Sequence, residues 1–144
     1  MVGQYKVGEI MSQNIVVGIP SESVYICARK MAFKKVSSVI IINEDSVVGI
    51  LTEQDVARKV VAEGLVPKTT PVSTVMSSDI TSINPYEDIE SAIELMGKKE
   101  IKHLPVIEKG KLIGVITAKD IIAIEPVLLD MLKFNNSSVN NRLG

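Results

Sequence analysis

Laid against itself at an offset of 65 residues, the chain matches without a gap from Val7–Val56 to Val72–Ile121. Met11 falls on Met76, Pro20 on Pro85, Met31 on Met96, Gly49 on Gly114, Thr52 on Thr117 and Asp55 on Asp120. Of the 50 aligned pairs, 12 are identical and 10 more exchange Val, Ile and Leu, so the apolar pattern is kept along with the punctuation. A supersecondary unit made twice seldom buries its apolar face alone. Two copies therefore predict a pseudo-two-fold body with a seam, and two equivalent sites along that seam.

Each copy reads as β-α-β-β-α. A short turn ends in Met (Val7–Met11, Val72–Met76), and a brief extended stretch follows (Ile15–Ile19, Ile80–Ile83) and stops at Pro20 or Pro85. An amphipathic helix comes next. Val24, Cys27, Ala28 and Met31 fall at i, i+3, i+4 and i+7, as do Ile89, Ala92, Ile93 and Met96. Ser21 and Asn84 stand as candidate N-cap or pre-helix residues, with Glu22, Glu87 and Asp88 complementing the dipole. Lys34-Lys35 and Lys98-Lys99 fit solvated C-terminal ends. Two hairpins follow, Ser38–Ile42 with Val47–Leu51 and Leu104–Ile107 with Leu112–Ile116, each around a polar turn. A second helix starts after Thr52 or Thr117. Gly64 can end the first of these, and residues 65–71 read as a Pro-bracketed linker. The domains are thus 7–64, 72–125, and a C-terminal helix with a frayed Asn/Ser-rich tail over 126–144.

Composition removes several classes of function. Net charge is −1, which leaves no electrostatic footprint for nucleic acid or an anionic membrane. Cys27 is the only cysteine, so a thiolate cluster is excluded, and His103 as the only histidine argues against a histidine metal site and a Ser-His-Asp triad. Cys27 lies on the apolar helix stripe, where a buried, inert thiol is expected. No apolar run is long enough to span a bilayer, and no signal-peptide pattern is present. A soluble, cytoplasmic protein is the expectation.

The segments Val-Ser-Thr-Val-Met at 72–76, His-Leu-Pro-Val-Ile at 103–107 and Leu-Ile-Gly-Val-Ile-Thr-Ala-Lys-Asp-Ile at 112–121 resemble the CBS domain, named after cystathionine β-synthase. Weaker versions stand at Val7–Met11, Ser38–Ile42 and Val47–Val56. The resemblance covers residues 7 to about 124 and implies a tandem pair, an α/β body of two repeats about a pseudo-two-fold axis. It implies a free-standing regulatory module with a homodimeric habit and an adenine nucleotide (AMP, ADP or ATP-like) as regulatory ligand, with no catalytic residue, catalytic cofactor or metal.

The sharpest small motif is Gly-x-x-Thr-x-x-Asp, at Gly49–Asp55 and Gly114–Asp120. Thr-x-x-Asp is a capping-box signature, and capping alone would keep both residue types. The same geometry presents free N–H groups and a positive dipole end to a phosphate. The resemblance implies Asp55 and Asp120 on ribose hydroxyls and Thr52 and Thr117 near phosphate. It also implies main-chain groups of Ile15-Val16 and Ile80-Thr81 at the base edge, and Val39 and Leu104 as apolar walls. His103, Leu104 and Pro105 open the strand of the second copy. With Lys102 and Lys119, His103 makes that copy's site the phosphate-favouring one; Ser37, Ser38 and Gln54 are its neutral counterparts in the first copy. The stronger site is therefore expected around Ile80, Thr81, Lys102, His103, Leu104, Pro105, Thr117, Lys119 and Asp120. The weaker one is expected around Ile15, Val16, Ser38, Val39, Thr52 and Asp55.

Four functions compete. A non-catalytic adenosine-nucleotide sensor signalling to a partner protein fits best. An enzyme lacks a P-loop, a metal cluster and a nucleophile–base spacing. A binder of adenine-containing nucleic acid lacks positive charge and aromatic platforms. A dimerisation module without ligand remains the plainest alternative.

Overall fold

A computed structural model describes residues 5–124. The order is α1 (Val7–Ile10), β1 (Val17–Gly18), α2 (Val24–Lys34), β2 (Ser38–Asn43), β3 (Ser46–Thr52), α3 (Glu53–Asp55), α4 (Ile89–Lys99), β4 (His103–Glu108), β5 (Lys111–Thr117) and α5 (Ala118–Ile124). Single 3-10 turns at Pro67–Thr69 and Val72–Thr74 lie between α3 and α4. The strands form an antiparallel hairpin in each half, with β1 added in parallel to β2 in the first.

The hairpins follow from their turn residues. Pairing of Asn43 with Ser46 leaves Glu44 (φ 50°) and Asp45 (φ 66°) as the two-residue loop, and pairing of Glu108 with Lys111 leaves Lys109 (φ 50°) and Gly110 (φ 78°). Two positive φ angles are the primed turn whose twist matches the strands. Each hairpin carries an irregularity at the same place in its repeat, Ile41/Ile42 and Val106/Ile107. The extended stretch Ile80–Ile83 shrinks to one parallel bridge, Ile83 to Val106. Its neighbours Ser82 and Asn84 are poor strand formers where the first copy has Val17 and Ile19.

Several expectations are corrected. The helix starts lie two to four residues later than Ser21 and Asn84. Ser23 caps α2, its hydroxyl accepting from Ile26 N–H at 3.2 Å, and Asp88 precedes α4. The residues after each Pro are spent on a turn: Glu22 N–H donates to Ile19 C=O, and Asn84 Oδ1 accepts from Tyr86 N–H at 2.8 Å. Ile93 is not core but 40% exposed, whereas Ile89, Ala92 and Met96 are buried. The helix after Thr52 widens to π geometry over Val56–Val61 before Gly64 (φ +70°). The linker expected over 65–71 is packed, with Thr70 buried and its C=O accepting from Val24 N–H at 2.9 Å. The helix expected at Glu125-Pro126 and the tail lie outside the described residues.

The two repeats are interlocked. Val72 and Val75, at the head of the second repeat, sit in the core of the first with Val24, Cys27, Val39, Leu51 and Val60. Val7, at the head of the first repeat, sits in the core of the second with Ile89, Leu104, Val106 and Ile116. The exchange is bonded as well as packed. Ser12 and Val115 trade both main-chain hydrogen bonds (2.9 and 3.0 Å), and Ile50 and Ser77 do the same (3.0 Å each). These are equivalent pairs under the 65-residue offset. Gly114 permits the crossing: a Cβ there would lie 2.5 Å from Met11 Sδ, and one at Gly49 would overlap the Met76 thioether. Each Met therefore closes over the glycine of the other repeat.

Candidate functional site

The exchange opens two cavities, of about 460 and 540 Å³, within the range that suits small ligands. Each draws on both repeats. Ile15, Val16 and Ser38 of the first repeat share the smaller cavity with Thr117, Lys119 and Asp120 of the second. Ile80, Thr81, Lys102, His103 and Pro105 share the larger with Thr52 and Asp55. The expected sets, one per repeat, are thus redistributed: the extended stretch of one copy faces the Thr-x-x-Asp motif of the other. Val39 and Leu104 are fully buried and line neither cavity. They support the walls from behind.

Both Thr-x-x-Asp motifs form capping boxes. Asp55 Oδ2 accepts from Thr52 N–H at 2.9 Å and Thr52 Oγ1 from Asp55 N–H at 3.2 Å. Asp120 Oδ2 accepts from Thr117 N–H at 2.9 Å and Thr117 Oγ1 from Asp120 N–H at 3.1 Å. The box uses one oxygen of each carboxylate. The other differs between copies: Asp55 Oδ1 lies 3.1 Å from Lys59 Nζ, while the position equivalent to Lys59 is Ile124, which offers no charge. Among the described residues Asp120 Oδ1 has no recorded hydrogen-bond partner. Asp120 is therefore the freer acceptor for a diol.

His103 is half-buried, its Nε2 2.7 Å from Ser37 Oγ. Burial lowers its pKa below the usual 6.5, and the charges of Glu53, Asp120 and Asp55 pull the other way less strongly. A neutral ring that exchanges a proton with a serine hydroxyl satisfies both groups without a counter-ion. His103 and Lys102 do not share a cavity with Lys119, so the three do not converge on one anion.

Sequence reasoning missed the charges that distinguish the cavities. Lys35 is the exposed helix end that was expected, and it also lines the smaller cavity. It sits at the left-handed C-cap of α2 (φ 57°). Glu100 takes the equivalent place (φ 55°) in the larger cavity, and Asp79 there replaces Asn14. The smaller cavity balances Lys35 and Lys119 against Glu53 and Asp120. The larger sets Arg58 and Lys102 against Glu53, Asp55, Asp79 and Glu100, two more acids than bases. The 65-residue offset carries this signal in the pairs Lys35/Glu100 and Asn14/Asp79, but only the fold says that those positions face a cavity.

Both linings mix hydroxyls and carboxylates with aliphatic side chains, an equipment for holding a ligand. Among the described residues no group of three His, Cys, Asp or Glu side chains converges as a metal site, and no helix is long and apolar enough to cross a membrane.

Comparison with known proteins agrees with this architecture. The family model of the CBS domain matches residues 7–62 and again 72–126. An uncharacterised protein of Methanopyrus kandleri, MK0525, is 36% identical over 125 residues, covering 85% of this chain and 64% of its own length. The hexameric CBS-CP12 protein from bloom-forming cyanobacteria superposes with a TM-score of 0.78 at 31% identity, over 87% of this chain and 74% of that one. The CBS domain pair of MJ0100, solved with 5′-methylthioadenosine and S-adenosyl-L-methionine, shares the fold (TM-score 0.75, 21% identity, 83% and 94% covered).

Proposed function

Since the chain belongs to the CBS-domain family as a tandem pair, we propose that it is a non-catalytic sensor that binds adenosine-containing ligands in its two seam cavities and passes their occupancy to a partner protein. The observation that carries this reading is the cross-repeat construction of each cavity. An extended main-chain segment from one copy faces a Thr-x-x-Asp motif from the other. The segment supplies main-chain groups for the edge of a base, and the carboxylate supplies an acceptor for a ribose diol. The MJ0100 pair, with its two adenosyl ligands, is of the same fold.

The charge distribution assigns ligand classes. The smaller cavity, with Lys35, Lys119 and a free Asp120 oxygen, suits a phosphorylated adenosine such as AMP. The larger, with its excess of carboxylates, suits a neutral adenosyl ligand better. Calorimetric titration of the full chain with AMP, ADP, ATP, adenosine and 5′-methylthioadenosine tests both statements. Saturable heat from AMP that is lost in Lys35→Ala/Lys119→Ala supports the assignment. No binding by any of the five overturns the sensor reading and leaves a structural module.

Assembly of copies is part of the same proposal. Phe33 and Ile26 on the outer face of α2 are 82% and 43% exposed, an apolar surface that a second copy would cover. Sedimentation at the dimer mass supports a homodimer. A hexamer, the state of the CBS-CP12 relative, would replace it.

A further inference from the structure

Most lining residues of one cavity have a counterpart in the other. Asn14, Ile15, Lys35, Thr117 and Asp120 of one answer to Asp79, Ile80, Glu100, Thr52 and Asp55 of the other under the 65-residue offset. Two residues, Ser37 and Glu53, line both cavities, and of the two only Glu53 carries a charge. Its equivalent, Ala118, carries no charge and lines neither, so the seam holds one central carboxylate where exact repetition would give two or none. Glu53 is exposed, and its carboxylate takes part in no hydrogen bond or ion pair among the described residues. Its backbone is held: Glu53 N–H donates to Ser37 C=O at 3.1 Å, and Ser37 Oγ meets His103 Nε2 across the seam. The side chain is thus a free arm on a fixed pivot between two chambers.

We propose that Glu53 is a shared selectivity residue that makes the cavities exclude one another for phosphorylated ligands. A phosphate entering either chamber repels the carboxylate toward the other. The second chamber then holds the arm's negative charge as well as its own acids, and it refuses a second phosphate while still accepting a neutral adenosyl ligand. Occupancy by one phosphorylated and one uncharged ligand is the favoured doubly bound state. Cost falls on the second anion alone, as a coupling between sites requires. This inference rests on the nucleotide reading above.

Titration calorimetry of the full chain with AMP and with adenosine tests it, using wild type, Glu53→Gln and Glu53→Ala, the last copying Ala118. The expected result is a second AMP that binds about fivefold or more tighter in both variants, at the low end of ordinary site coupling. The first AMP should change less, and both adenosine steps should be unmoved. Two AMP per chain in the variants against one in wild type is the same result in its extreme form. Equal tightening of both AMP steps, a matching change for adenosine, or one AMP per chain in all three proteins overturns the shared role and leaves the nucleotide reading standing. No heat from either ligand with wild type overturns that reading, and the inference falls with it.

Discussion

Asp120 has two partners to serve. Its carboxylate already closes the capping box with Thr117, and the free oxygen is the one offered to a ribose. Replacing it with Ala removes hydrogen bonds to a charged acceptor, each about 1.5–3 kcal/mol at most, so AMP affinity should fall about tenfold or more. Losing this helix-start carboxylate should lower stability by about 0.3–1 kcal/mol, so affinity must be read by calorimetry well below the unfolding temperature. Asp55→Ala should weaken AMP binding less, because Lys59 already occupies its second oxygen and its cavity carries the excess acid. A larger loss from Asp55→Ala would reverse the ranking.

His103 gives a pH signature of known sign. Its pKa is lower in the folded chain than the ordinary 6.5, because burial disfavours the cation. Below 6.5 the unfolded chain therefore binds more protons than the folded one. The contribution to stability is full above 6.5 and is lost as pH falls from there through the folded value. Urea denaturation at about pH 7.5 and 5.5 should show this loss in wild type and a smaller one in His103→Gln. An equal loss in both would place the titration elsewhere.

At the scale of elements, the Met-over-glycine contacts hold the seam. Gly114→Ala puts a methyl group into Met11, and the crowding should cost about 1–3 kcal/mol. Gly114→Ala/Met11→Ala should recover part of that, because the clash is removed even though packing is lost. Chemical denaturation of the two single variants and the double variant measures the coupling. Additive losses would mean that the glycine is needed for some other reason. The hairpins and helices were legible in the chain because each rests on local chemistry: short, near-continuous apolar runs around polar turns, and a period of 3.6. Of the two roles read for Ser21 and Asn84, the structure selects pre-helix rather than N-cap, because their backbone is already committed to the turn after proline. The widened turn at Val56–Val61 had no sequence signal.

At the scale of the molecule, the repeats in sequence are not the units in space. A fragment of residues 66–144 contains the whole second repeat but lacks Tyr5–Met11, which cover its core through Val7, Ile10 and Met11. It should populate little folded state by circular dichroism and amide exchange. Adding a peptide of residues 1–14 should restore structure. A cooperative melt of the fragment alone would show that the exchange is dispensable.

The sequence by itself determined the repeat, its element order, the pairing partners in each hairpin, and the residue types at the sites. All of these follow from near-neighbour physics recorded twice. Only the tertiary structure decided which sites those residues make. Ile15 and Asp120, or Ile80 and Asp55, are far apart in the chain, and they meet because each repeat buries its head in the other's core. That exchange leaves no local signature: a Val packs as well against its own repeat as against the copy, and only the closure of both cores at once selects the crossing. The same selection turned the helix ends at Lys35 and Glu100 toward the cavities, and it placed Glu53 where two chambers share one charge.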